Sequence, residues 1–133
     1  ESSAELVSKL AQCRAEETDQ LVRIDVDNFF MSGRFDNIKK EALKLFDDTD
    51  HRLLGSAVDF ILKNQYIECS CKPGKLWRVQ EGSGMGLRHS GALCDCAFCG
   101  VCEKGFALNE AVRRKFRIKQ YWRFRDDILM LVG

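Results

Sequence analysis

The chain holds one proline, Pro73, two histidines, and almost no net charge: 21 basic residues stand against 20 acidic ones, for +1. No stretch rich in proline, glycine and serine marks a linker, and no internal repeat or low-complexity segment occurs, so one domain over 1–133 is the expectation. The apolar runs are too short to cross a bilayer, and no charged start leads into an apolar run with a cleavage site. A membrane protein and a secretory leader are therefore not expected. The near-zero balance argues against a free-standing nucleic-acid binder, which is usually strongly basic. Seven cysteines are an odd number, which speaks against a disulfide framework and for reduced thiols inside a cell. His51 and His89 have no evident nucleophile partner. His89 and Ser90 are adjacent, and neighbours on a helix do not face each other.

What is present is an ordinary globular composition, 45% apolar and 31% charged, enough for one core. The chain begins with Glu1 rather than Met, which raises the expectation of a piece of a longer protein. Residues 4–19 read as an amphipathic helix through Leu6, Val7, Leu10 and Cys13. Leu21, Val22, Ile24 and Val26 make a short strand that carries Asp25. Residues 34–47 and 50–64 have helical spacing, the second with Asp50 as its N-cap. Tyr66–Cys71 and Leu76–Gln80 read as strands about a Pro73-Gly74 turn. A glycine-rich loop follows at 82–86, then a helix from Ser90 to about Glu103 and another over Ala107–Phe116. A strand to Phe124, the pair Asp126-Asp127 and the apolar run Ile128–Val132 close the chain. This order predicts an α+β fold: an antiparallel sheet with helices on one face.

Basic residues Arg113, Arg114, Lys115, Arg117, Lys119, Arg123 and Arg125 alternate with Phe116, Tyr121, Trp122 and Phe124. Such a stretch either contacts phosphates and bases or is a solvated face beside a buried strand. The glycine loop is neither a dinucleotide fingerprint, because Leu87 stands where the third glycine belongs, nor a Walker A loop, because no Gly-Lys-Ser/Thr follows. Cys94, Cys96, Cys99 and Cys102 pose a zinc or iron–sulfur alternative. At about 100° per residue a continuous helix would spread them over roughly 200°, too far to meet at one ion. On a helix they pack as small apolar groups, and in a loop they could bind zinc.

The acidic positions carry the chemistry. Asp25 interrupts an apolar strand, and Asp126-Asp127 falls at a hairpin tip. Acids gathered at one place repel each other, and a divalent cation with hard oxygen ligands offsets that cost. A pair of such ions can stabilise the attacking and leaving oxygens of an in-line phosphoryl displacement. The alternative is a turn acid and a solvent-facing strand acid.

Arg23-Ile24-Asp25-Val26-Asp27-Asn28-Phe29-Phe30 resembles the first catalytic motif of reverse transcriptases. Arg123-Phe124-Arg125-Asp126-Asp127-Ile128-Leu129 resembles their aromatic-x-Asp-Asp hairpin. Gly82-Ser83-Gly84-Met85-Gly86-Leu87-Arg88-His89-Ser90 lies between them, as the family's glycine-rich motif does. The flavour is nearest the non-LTR and Penelope-like retroelements. The resemblance implies a polymerase palm with a ferredoxin- or RRM-like antiparallel sheet, acting as an RNA-directed DNA polymerase. It implies two Mg²⁺ ions held by Asp25 and Asp126, with Asp127 as the neighbouring acid. Phe30 would be the aromatic gate against the 2′-hydroxyl of the incoming nucleotide, with Phe29 beside it in the core. Asn28 and Phe29 would present N–H groups to the triphosphate, and Gly84, Met85 and Gly86 would lie under the nascent base pair. Implied partners are a primed RNA or DNA template, deoxynucleoside triphosphates, and the fingers and thumb of a parent chain. The implied location is intracellular, the nucleus included. The departures are Phe124 for the usual Tyr, Arg125 at the variable position, Gly84 where Pro is frequent, and Leu87-Arg88-His89 where Ser-Pro-Leu is common. With fingers and thumb absent, this fragment is expected to turn over poorly by itself, because phosphoryl transfer depends on positioning. A repurposed, non-catalytic palm and a cysteine-based zinc module are the alternatives.

Overall fold

The structure is a computed structural model that describes residues 3–46 and 50–133. It is α+β. The described residues form two compact units, one drawn from Glu1–Asp27 and Cys102–Gly133, the other from Asn28–Val101.

The first unit contains helix α1 (Ser3–Gln12), strand β1 (Gln20–Asp25), helix α5 (Glu110–Lys115) and strands β4 (Ile118–Phe124) and β5 (Asp127–Val132). Its sheet is antiparallel in the order β1-β5-β4. On β5, the central strand, Ile128, Met130 and Leu131 are buried, as are Ile118 and Trp122 on β4. β1 is an edge strand, with Leu21 and Ile24 exposed. The expected helix over 4–19 stops at Gln12. Residues 13–19 lack apolar spacing, and Asp19 is held elsewhere: its carboxylate accepts from the Glu16 N–H at 2.9 Å and pairs with Lys119 at 2.8 Å. α5 is also shorter than expected. Asn109 starts it by accepting from the N–H groups of Ala111 (3.0 Å) and Val112 (3.3 Å), so 107–109 lie outside it.

The second unit contains helices α2 (Phe35–Leu43), α3 (His51–Lys63) and α4 (Ser90–Phe98) and strands β2 (Tyr66–Glu68) and β3 (Leu76–Arg78). α2 packs against both α3 and α4, burying Ile38, Ala42, Leu62 and Cys94. Asp50 occupies the cap position of α3 but makes no side-chain cap bond, because its backbone is already helical (φ −98°, ψ −7°). Residue 47, the expected end of the preceding helix, lies outside the described residues. β2 and β3 are three residues each and pair only with each other. The expected single sheet is therefore two: strands this short supply too few ladder bonds to extend further. Cys69 and Cys71 in the connecting turn are joined by a disulfide. The expectation of reduced thiols is not met at this pair, while Cys13, Cys94, Cys96, Cys99 and Cys102 are free. After Phe98 the chain widens into a π-helical turn, Cys99–Glu103. Within it Gly100 lies against Glu41, where an added Cβ would collide with the carboxylate.

Candidate functional site

Strand register brings together two of the acidic positions, Asp25 and Asp127, and the Asp126 backbone lies beside them. Antiparallel pairing places Asp25 directly opposite Asp127, and the ladder continues past the strand end where the Val26 N–H donates to the Asp126 carbonyl at 2.9 Å. Residues directly opposite each other share a face of the sheet, so the Asp25 and Asp127 side chains emerge on the same side. Asp126 stands in the two-residue turn between β4 and β5, after Arg125, whose φ is 58°. A positive φ at the first central residue matches the right-handed twist of the flanking strands, and such a conformation in a non-glycine residue is strained.

Arg23 completes the cluster. Strand alternation puts it on the face of Asp25, and it donates to Asp127 Oδ1 from Nη2 at 2.8 Å and from Nε at 3.2 Å. That hydrogen bond, with a smaller contribution from nearby Asp25, holds the guanidinium further toward its charged form. Its role went unrecognised in the sequence, although its place two residues before Asp25 in a strand was a sufficient signal. Among the described residues no three His, Cys, Asp or Glu side chains are close enough to share a metal ion. The donors of Asp25, Asp126 and Asp127 are the hard oxygens that Mg²⁺ takes. As placed, Asp25 and Asp127 face each other while Arg23 holds Asp127.

In the second unit the loop after Asp27 and the glycine-rich loop are built as one piece. Asn28, at φ 54°, turns the chain, and its carbonyl accepts from the N–H groups of Met31 (2.9 Å) and Ser32 (2.8 Å). Phe29 is buried, edge-on to Phe30 at 5.2 Å and near Phe98 at 5.7 Å. Phe30 is half-buried, and its carbonyl accepts from the Ser83 N–H at 2.6 Å. Gly82 donates to Gly33 at 2.8 Å, and a Cβ at Gly82 would stand 2.5 Å from the Met31 backbone. Only glycine permits that approach at φ 74°. Beneath the loop, Ser83 and Ser90 hydroxyls bond each other at 2.8 Å, Ser90 donates to the Gly84 carbonyl at 2.6 Å, and Gln65 accepts from the Gly84 N–H at 2.6 Å. These supports were not foreseen from sequence. Met85 and Gly86 project into solvent at the loop tip, Met85 at 76% exposure.

The other candidates divide differently. Most of the basic stretch is engaged within its own unit. Arg113 donates to the Lys119 carbonyl, Arg114 pairs with Glu110, Lys119 with Asp19 and Glu16, and Arg123 with Glu103. The cysteines do not behave as one group: Cys94 is buried, with its thiol toward the Phe30 carbonyl, whereas Cys102 is exposed, so packing accounts for only part of the set. Burial first and the Asp95 carboxylate second push the Cys96 thiol up. His51 Nε2 lies 2.9 Å from the Phe46 carbonyl, whereas His89 Nε2 is buried without a hydrogen-bond partner among the described residues.

No family model matches the chain, and no curated protein matches it.

Proposed function

We propose that this chain is the palm portion of a reverse transcriptase-like, RNA-directed DNA polymerase, with Asp25, Asp126 and Asp127 as its metal-binding carboxylates. The observation that carries the reading is the register that sets Asp25 across from Asp127, with Asp126 bonded through its carbonyl to Val26. Acids from opposite ends of the sequence are thus gathered at one end of one sheet. The fusion of the 28–33 turn to the glycine loop gives further support, because both segments belong to the resembled motifs.

In this reading Asp25, Asp126 and Asp127 would hold Mg²⁺, which when bound neutralises charge on the attacking and leaving oxygens of nucleotidyl transfer. The residues of the chain do the positioning. Phe30, whose ring meets Phe29 and whose carbonyl accepts from the Ser83 N–H, would be the aromatic that disfavours a 2′-hydroxyl. Gly84 and Gly86 let template or nucleotide approach backbone closely. The remainder of the grip belongs to fingers and thumb. A second reading, a repurposed palm that binds without catalysis, is favoured by the Arg23–Asp127 ion pair.

Primer extension on an RNA template by the full-length parent separates the two readings. Deoxynucleotide incorporation that Asp126→Asn removes, with folding unchanged, supports the polymerase. No incorporation by the unmutated parent supports the scaffold.

A further inference from the structure

Asp25 and Asp127 confront each other on adjacent strands, an arrangement that like charges resist. Asp25 makes no side-chain hydrogen bond or salt bridge among the described residues, and Asp127 makes its bonds to Arg23 alone. Register explains why Arg23 reaches it. Arg23 is paired with Leu129, so Asp127 is its diagonal neighbour on the same face, within the span of a long side chain. Both guanidinium contacts converge on one oxygen, Oδ1. The pair is open to water, at 74% exposure for the Arg23 side chain and 50% for Asp127, so its attraction is weak and readily exchanged.

We infer that Arg23 is a built-in counter-cation of the Asp25–Asp127 pair, a resident positive charge that a divalent cation must displace, and that it sets the metal affinity of this chain. The inference rests on the reading of these acids as metal ligands. A guanidinium beside the acids has two effects: it relieves their repulsion while the metal is absent, and it competes with the metal for Asp127. Divalent-ion binding is therefore an exchange of one cation for another, and it is suppressed while Arg23 stays in place. A divalent ion carries twice the charge of a guanidinium and can coordinate carboxylate oxygens from both strands directly. That difference lets the weaker cation serve as an occupant that yields.

The test is Mn²⁺ binding to the 133-residue chain, read by electron paramagnetic resonance of the free ion, for the unmutated protein, Arg23→Gln and Arg23→Lys. Arg23→Gln should bind about three- to tenfold tighter, the scale of an exposed ion pair together with removal of one nearby positive charge. Arg23→Lys should stay near the unmutated value. The advantage of Arg23→Gln should shrink as salt is raised, because screening weakens both effects. Thermal melts of each variant confirm folding, and an exposed substitution of this kind leaves stability nearly unchanged. If Arg23→Gln binds Mn²⁺ no more tightly than the unmutated chain, yet Asp127→Asn abolishes binding, the counter-cation role is wrong and the metal reading stands. If no variant binds Mn²⁺ in a manner dependent on Asp25 and Asp127, both are wrong.

Discussion

Asp25 and Asp127 lie directly opposite each other on antiparallel β1 and β5, with Arg23 bridging to Asp127 on the same face. Facing carboxylates repel each other, so the proposed cation site makes direct predictions about stability with and without metal.

The metal-free consequence is direct. Asp25→Asn removes one of two opposed charges and should leave the chain as stable as before or more stable by about 0.2–1 kcal/mol. Mg²⁺ should raise the melting temperature of the unmutated chain more than that of the variant, because only the former keeps the full ligand set. Paired melts with and without Mg²⁺ check this; a clear loss of stability in metal-free Asp25→Asn would show that the acid serves the fold.

Glu103 anchors the same sheet. It takes the Tyr121 hydroxyl at 2.7 Å and a two-point contact from Arg123, at 2.7 Å from Nε and 3.3 Å from Nη2, with both side chains of the ion pair nearly buried. Glu103→Ala removes the nearly buried carboxylate that Arg123 and Tyr121 share and should cost about 3 kcal/mol in denaturant unfolding. Burial first, and the bond to Glu103 second, push the Tyr121 hydroxyl well above the usual tyrosine range. A group whose value is raised by folding stabilises the fold fully below its unfolded value and loses that contribution as pH climbs. Stability should therefore fall as pH rises above about 10, and Tyr121→Phe should flatten that alkaline fall. An unchanged alkaline profile in Tyr121→Phe would contradict the assignment.

Gly82 joins the 28–33 turn to the glycine loop with no room for a side chain. Gly82→Ala combines a clash with the Met31 backbone and a left-handed φ, and should destabilise by about 1–3 kcal/mol. Gly86 also has a positive φ, at 90°, but meets nothing within reach, so Gly86→Ala should cost less. Equal losses in the two variants would show that backbone conformation, and not the close approach, decides the effect.

How much of this was legible follows from the range of each signal. The β4–β5 hairpin could be read because its pattern is local: an apolar run, two acids and a second apolar run. The helices α2 and α3 were legible through apolar spacing, and α4 only through Ser90 as its start. Arg23 was equally legible, since period-2 alternation puts it on the face of Asp25. What could not be read depends on contacts between distant segments. Glu103 looks like an ordinary helix-end acid until Tyr121 and Arg123 arrive on β4. Ser83, Ser90 and Gln65 are unremarkable polar residues until they close under the glycine loop. The division into two sheets depends on β2 and β3 being too short to recruit a neighbour, a matter of a few ladder bonds that residue patterns do not resolve. The Cys69–Cys71 disulfide and the π-helical turn at Cys99–Glu103 left no periodic trace.

The central claim is that a divalent cation binds at the end of the β1-β5-β4 sheet. Substoichiometric Mn²⁺ added to the isotope-labelled chain tests it through paramagnetic broadening of amide signals. The account predicts selective loss of signals near Asp25 and near Asp126-Asp127 together, reversed by excess Mg²⁺ and absent in the double variant Asp25→Asn, Asp127→Asn. Broadening centred on the cysteines of α4, or none at these acids, would contradict it.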